Sequence, residues 1–154
     1  MSPLHETIVL ERTYPATPAR LFAAWASAEA RLAWSAPDGA QLVFDEEDFR
    51  PGGVERSRCG PAGNLMFALE SRYIDIRKDR LIHWLETCRH GETLLSSCLL
   101  TVEITADPAS GGARLVLTDQ VTAFDAEMIA GNRAGWSAVL EKLSAWLAPA
   151  AARA

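Results

Sequence analysis

Apolar and polar positions alternate from Glu6 to Tyr14, with Ile8, Leu10 and Arg12 on one side and Thr7, Val9, Glu11 and Thr13 on the other, which predicts a first strand. Pro15 ends it, and the period changes. Thr17-Pro18 is a helix start, because the threonine hydroxyl can cap free amides and a proline at the first helical position gives up no hydrogen bond that the helix needs. A short helix from Pro18 to about Ala26 then presents Leu21, Phe22 and Trp25. Ser27 can cap a second one, Ala28 to about Trp34, with Leu32, Ala33 and Trp34 as its apolar side, stopped at the turn Pro37-Asp38-Gly39.

From Ala40 onward the period is two. Gln41 to Phe49, Val54 to Cys59, Leu65 to Arg77 and Leu81 to Arg89 read as successive strands, separated by short polar or glycine-bearing links of hairpin length, which argues for antiparallel pairing in chain order. Leu94 to Thr105 follows, with Cys98, Leu100, Val102 and Ile104 on one face. Ala113 to Phe124 returns with Leu115, Leu117, Asp119, Val121 and Ala123 in phase. Asp125 to Ile129 begins a helical approach that Gly131 and Gly135 weaken. The cleanest helix signal is Gly135 to Leu147, where Trp136, Val139, Leu140, Leu143, Trp146 and Leu147 recur at three-and-four spacing. Ala148 to Ala154, broken by Pro149, reads as a frayed tail.

A stripe carrying two tryptophans needs a broad apolar surface to lie on, and the strands supply one. The expected fold is α+β: a bent antiparallel sheet of six to seven strands wrapped around the last helix, with two short helices after the first strand. At 154 residues, 49% hydrophobic and 23% charged, the chain fits one domain, residues 1–154. Its net charge of -5, with Lys and Arg scattered, leaves no footprint for nucleic acid or an anionic membrane. No basic segment leads into an apolar run at the N-terminus, and no stretch nears the length of a membrane span, so a cytoplasmic location is expected. A homodimer stays open. Cys59, Cys88 and Cys98 lack CxxC spacing and sit within strands, which favours reduced thiols over a disulfide framework or zinc site. No metal-ligand constellation, P-loop, G-x-G-x-x-G or G-x-S-x-G elbow occurs, so no catalytic residue, metal or cofactor is assigned.

Five stretches carry a resemblance: Tyr14-Pro15-Ala16-Thr17-Pro18-Ala19-Arg20-Leu21-Phe22-Ala23-Ala24-Trp25; Trp34 with Pro37-Asp38-Gly39; Asp48-Phe49-Arg50-Pro51-Gly52-Gly53; Tyr73-Ile74-Asp75-Ile76 running to Arg80-Leu81-Ile82; and Gly135-Trp136 with the helix behind it. In this order the chain resembles the SRPBCC or START-like helix-grip superfamily, in the branch named after the activator of the 90-kDa heat-shock-protein ATPase. The resemblance implies a cavity between the concave sheet face and the last helix, used for hydrophobic ligands and, in some branches, for catalysis. Two positions depart from the pattern: Glu55, where many relatives have a large aromatic, and Ser71, where glycine is usual.

The resemblance turns Glu55, Ser57 and Cys59 inward; a different register would leave Glu55 solvated at a sheet edge. Inside, its carboxylate must find an arginine, find water or take up a proton. Asp119 raises the same question, and Glu86 is in phase with Ile82 and Trp84. His83 falls on the opposite face from Trp84 and reads as a packed or surface histidine. The aromatics Trp25, Trp34, Phe44, Phe67, Tyr73, Trp84 and Trp136 suit a filled core or a cavity wall equally. The expected cavity residues are Trp25, Trp34, Glu55, Phe67, Trp84, Glu86, Cys98, Asp119 and Trp136, around a small apolar or amphipathic molecule. Two further readings are open: a cyclase- or dehydratase-like enzyme using an inward carboxylate, and a chaperone-activating interaction protein.

Overall fold

A computed structural model describes residues 2–148. The elements are β1 (Leu4–Tyr14), α1 (Pro18–Ala26), α2 (Ala28–Trp34), β2 (Ala40–Glu46), β3 (Val54–Pro61), β4 (Phe67–Arg77), β5 (Leu81–His90), β6 (Thr93–Ala106), β7 (Ala113–Ala123) and α3 (Ala126–Leu147). This is the α+β helix-grip architecture, an open seven-stranded sheet ordered β1-β7-β6-β5-β4-β3-β2 with every pairing antiparallel. β1 and β2 are neighbours in the chain but lie at opposite edges of the sheet, so the α1–α2 elbow has to carry the chain across.

The caps anticipated from the sequence are present: Thr17 and Ser27 accept from Arg20 and Ala30 amides, both at 3.2 Å. Three register shifts, between Phe44 and Glu46, between Tyr73 and Asp75, and between Cys88 and Arg89, insert bulges that bend the strands and help curve the sheet. Gly53 ends the turn before β3 where a side chain has no room, since a Cβ there would stand 2.0 Å from the Asp48 carbonyl oxygen. That turn is stitched to β4 by Gly52 N–H to Tyr73 C=O and Tyr73 N–H to Gly53 C=O.

Three element boundaries and one helix face differ from expectation in ways that shape the site. β2 stops at Glu46 after its bulge, and Phe49 leaves the sheet to pack its ring against Phe22 and Tyr73. β4 begins at Phe67. On α2, Leu32 and Ala33 are exposed, and the inward face is Arg31 with Trp34, one turn apart. The last helix begins at Ala126 rather than Gly135, because the Asp125 carboxylate caps the Met128 amide at 2.7 Å and carries the helix through both glycines. The frayed tail expected from Ala148 onward lies, past Ala148, outside the described residues.

The core sits at the β1–β7–β6 end of the concave face, where Ile8, Leu100, Val102, Leu115 and Leu117 meet Leu140, Leu143 and Leu147 of α3. Polar ties fix the helix there. Tyr14 Oη donates to Leu140 C=O at 3.0 Å, Arg20 to Leu147 C=O at 2.9 Å and Lys142 to Ala36 C=O at 2.7 Å. α3 thus rests on β1, β7 and α2, while β2 to β5 curve away beneath its first half.

Candidate functional site

The space left there is a cavity of about 710 Å³. Its wall is mostly apolar and aromatic: Trp25 and Trp34 from the elbow, Phe44, Phe67, Tyr73 and Trp84 from the sheet, Met128, Trp136 and Val139 from α3. Trp136 stacks on Trp25 with ring centroids 6.1 Å apart and meets Trp84 edge-on at 6.3 Å. Gly131 and Gly135 face the same space, and a Cβ on either would touch nothing within 4 Å.

Glu55 points inward and is 4% exposed, paired across β3–β4 with Ser71. Its carboxylate meets Arg31 in a two-pronged fork, Nη1 to Oε1 at 2.8 Å and Nη2 to Oε2 at 2.6 Å, and Arg31 Nη1 also donates to Tyr73 Oη at 3.3 Å. The guanidinium lies over the Phe44 ring, 4.7 Å from its centroid. Burial opposes the arginine charge, but the Glu55 hydrogen bonds and the Tyr73 hydroxyl outweigh it, so the Arg31 pKa stays above its ordinary value. Of the three possibilities that the sequence leaves open for Glu55, the structure realises an arginine partner.

Glu86 also lines the cavity but, among the described residues, has no cation beside it. Ser71 Oγ donates to its Oε2 at 3.0 Å. Burial pushes its pKa up to about 7; the Ser71 and Trp84 hydrogen bonds pull it down, while the nearby Asp119 and Glu55 charges raise it.

Asp119 does not reach the lining. It is fully buried behind Cys98, Asn132 and Trp136, with Asn132 Nδ2 3.5 Å from Oδ2 and no partner on Oδ1 among the described residues. Burial raises its pKa to about 6, against the pull of Cys98, Trp136 and Asn132. Its expected place as a wall residue is therefore corrected: a carboxylate on the inward face of β7 lies where α3 already covers the sheet. The other eight expected residues, Trp25, Trp34, Glu55, Phe67, Trp84, Glu86, Cys98 and Trp136, all line the cavity.

All three cysteines are free; Cys59 is half-buried, Cys88 and Cys98 are buried, and all three border the cavity. Burial raises each thiol pKa, that of Cys88 to about 12, so these are not thiolates at neutral pH. His83 is half-buried on the far side of β5, its Nδ1 2.8 Å from the Leu100 carbonyl oxygen. Sequence reasoning misses Arg31 and Asn132. The signal for Arg31 is its spacing of three from Trp34 on one helix face; Asn132 is masked by the glycines around it.

Among the described residues, no helix is long and apolar enough to cross a membrane. Structures similar to this one include a protein of Rhizobium leguminosarum, 35% identical over 95% of this chain and 96% of its own, TM-score 0.81. A second, from Rhizobium loti, is 35% identical over 96% and 100% of the two chains, TM-score 0.83. A third, from Chromobacterium violaceum, at 24% identity over 93% and 98%, TM-score 0.80, shares the fold. No curated protein matches the chain. The sequence pattern of one family, described as Activator of Hsp90 ATPase homolog 1-like protein, matches residues 15–148, across the elbow, the whole cavity wall and the last helix. The chain belongs to that family, within the helix-grip (SRPBCC) fold.

Proposed function

We propose that the protein binds a small apolar or amphipathic molecule between the sheet and α3, with Trp25, Trp34, Phe67, Trp84, Cys98 and Trp136 as the apolar contacts and Glu55 and Glu86 as polar neighbours. Asp119 acts from behind the wall, through Trp136 and Asn132. The carrying observation is the cavity itself: about 710 Å³ of space bordered by indoles and phenyl rings that a packed core would have closed. Burial of apolar ligand surface supplies affinity, at about 0.8 kcal/mol per methylene, and the few polar groups fix orientation.

Titration with the neutral apolar fluorophore N-phenyl-1-naphthylamine tests this. Saturable enhancement at one site per chain is expected, weakened in a Trp136→Ala protein that keeps its unfolding midpoint. Absence of saturable binding by this probe and by a series of neutral apolar competitors overturns the reading.

One observation favours a second reading, an acid–base enzyme: Glu86 borders an open cavity, and burial pushes its pKa up to about 7, the range in which a general acid or base works. Its partner carboxylate Asp119 is walled off, however, which leaves Glu86 to act alone and makes binding the better-supported function.

A further inference from the structure

Resting on the binding reading above, the geometry points to the class of molecule taken: an amphipathic amine, whose cationic head sits at Glu86 against the Trp25–Trp84–Trp136 wall and whose apolar tail fills the rest of the cavity.

The charge inventory of the lining is lopsided. Among the described residues its acidic side chains are Asp38, Glu55, Glu86 and Glu127, and its only basic one is Arg31. Arg31 is largely taken up within the wall: both of its terminal nitrogens are held by Glu55 in the fork and one also meets Tyr73, which matches its charge and leaves its buried Nε as the one guanidinium nitrogen without a partner among the described residues. Asp38 is engaged by Lys142 at 3.6 Å and Glu127 is exposed at the start of α3. Glu86 is left as the inward carboxylate bonded only by uncharged donors, the Ser71 hydroxyl and the Trp84 indole. Asp119, behind the same wall, adds a second carboxylate that no cation compensates among the described residues.

An ionised carboxylate in such surroundings is costly until a positive charge comes alongside. A bound ammonium supplies that charge and takes hydrogen-bond donors to the acceptor that lacks strong ones. A carboxylate ligand would do the opposite, adding a like charge next to Glu86, where the charge of Arg31 is already matched by Glu55. The indoles favour the same choice, since aromatic faces attract cations and Trp84 lies two residues from Glu86 on the same strand face. The mainly apolar remainder of the wall requires that the charge be carried on a hydrocarbon body.

The test is displacement of N-phenyl-1-naphthylamine at pH 7.5 by three ligands of equal chain length, dodecylamine, dodecanol and dodecanoate, the amine and carboxylate below their micellar concentrations and the alcohol below its solubility limit. Dodecylamine is expected to displace the probe at a concentration at least tenfold lower than dodecanoate, with dodecanol between. In Glu86→Gln the ratio of dodecanol to dodecylamine half-displacement concentrations should fall toward one. Glu86→Asp, which keeps the charge on a shorter arm, should retain part of the preference. Equal or better competition by dodecanoate overturns the inference, as does an unchanged ratio in Glu86→Gln. Were the probe and dodecanol to bind while dodecylamine showed no advantage, the amine assignment alone would fall; failure of every ligand to enter would remove the binding reading with it.

Discussion

The Arg31–Glu55 fork allows a quantitative forecast, because the same protein also holds an exposed two-pronged arginine–carboxylate pair, made through Nε and Nη2. Arg58 and Asp45 form a fork at 2.8 and 2.8 Å with side chains 48% and 44% exposed, whereas Arg31 and Glu55 are 11% and 5% exposed. Water can replace the lost partner at the first site and hardly at the second. Arg58→Met should therefore cost under about 1 kcal/mol, the range of surface pairs. Arg31→Met strands a buried carboxylate and should cost about 3–5 kcal/mol. Urea unfolding followed by tryptophan fluorescence, at an m of about 2 kcal/mol/M, would show the second as a midpoint lower by roughly 1.5–2.5 M. The double variant Arg31→Met/Glu55→Leu removes both charges and fills the space with apolar groups. It should return to within about 1–2 kcal/mol of the parent, because pairs of this kind mainly offset their own desolvation. A loss below about 1 kcal/mol for Arg31→Met, or a double variant as unstable as the sum of its singles, would refute the placement of Glu55 in a buried wall with Arg31 as its partner.

Glu86 links stability to pH. Its pKa rises from 4.5 to about 7 on folding, so between those values the folded state holds a proton that the unfolded state has released; stability falls as pH rises through the window, and the full penalty stands above it. Glu86→Gln should flatten that slope and stabilise the protein at pH 8 by up to about 3 kcal/mol, measured by urea melts from pH 5 to 8. Tyr14→Phe removes the buried bond to the Leu140 carbonyl that fixes α3 on β1, and should cost about 1–3 kcal/mol in the same melts while leaving the cavity lining untouched. Gly135→Ala has open space for its methyl and should stabilise α3 by about 0.5–1 kcal/mol, whereas Gly135→Leu should keep the fold and lower probe affinity by projecting into the cavity, read as separate changes in unfolding midpoint and probe Kd.

The sheet was legible because alternation is a local property: Cys98, Leu100, Val102 and Ile104, then Leu115, Leu117 and Val121, are buried as their phase requires. Phase breaks where a bulge adds a residue. Ile74 is such an extra residue on β4, 49% exposed, and the shift sends Asp75 out to pair with Arg77 and brings Ile76 onto the core. No single-residue property of Ile74 announces this. Within the site, Glu55 and Glu86 could be read from strand phase; Arg31, one turn from Trp34, shares that inward helix face, but its pairing with Glu55 could not be read from the chain. That pairing rests on how the elbow crosses from β1 to the far edge, which is set by sheet order. Asp119 illustrates the converse. Its phase is right, but whether an inward residue meets cavity or helix depends on how far α3 extends, and the sequence obscures where that helix begins.

The obscuring feature and the site have the same origin. α3 runs 22 residues, yet only Val139, Leu140, Leu143 and Leu147 are buried, all in its second half. The first half carries Gly131, Asn132 and Gly135, residues that dilute the apolar period and carry little helix propensity of their own. A packed helix would need large apolar groups at those positions to reach β3, β4 and β5. Glycine leaves that distance unfilled, Trp136 borders the gap from one end, and the Asp125 cap holds the turn that propensity alone would not. The helix is thus divided by sequence into an anchor on β1 and β7 and a roof over the cavity. Stability is concentrated in the anchor, and the roof is where substitutions that improve the helix and substitutions that preserve binding should diverge.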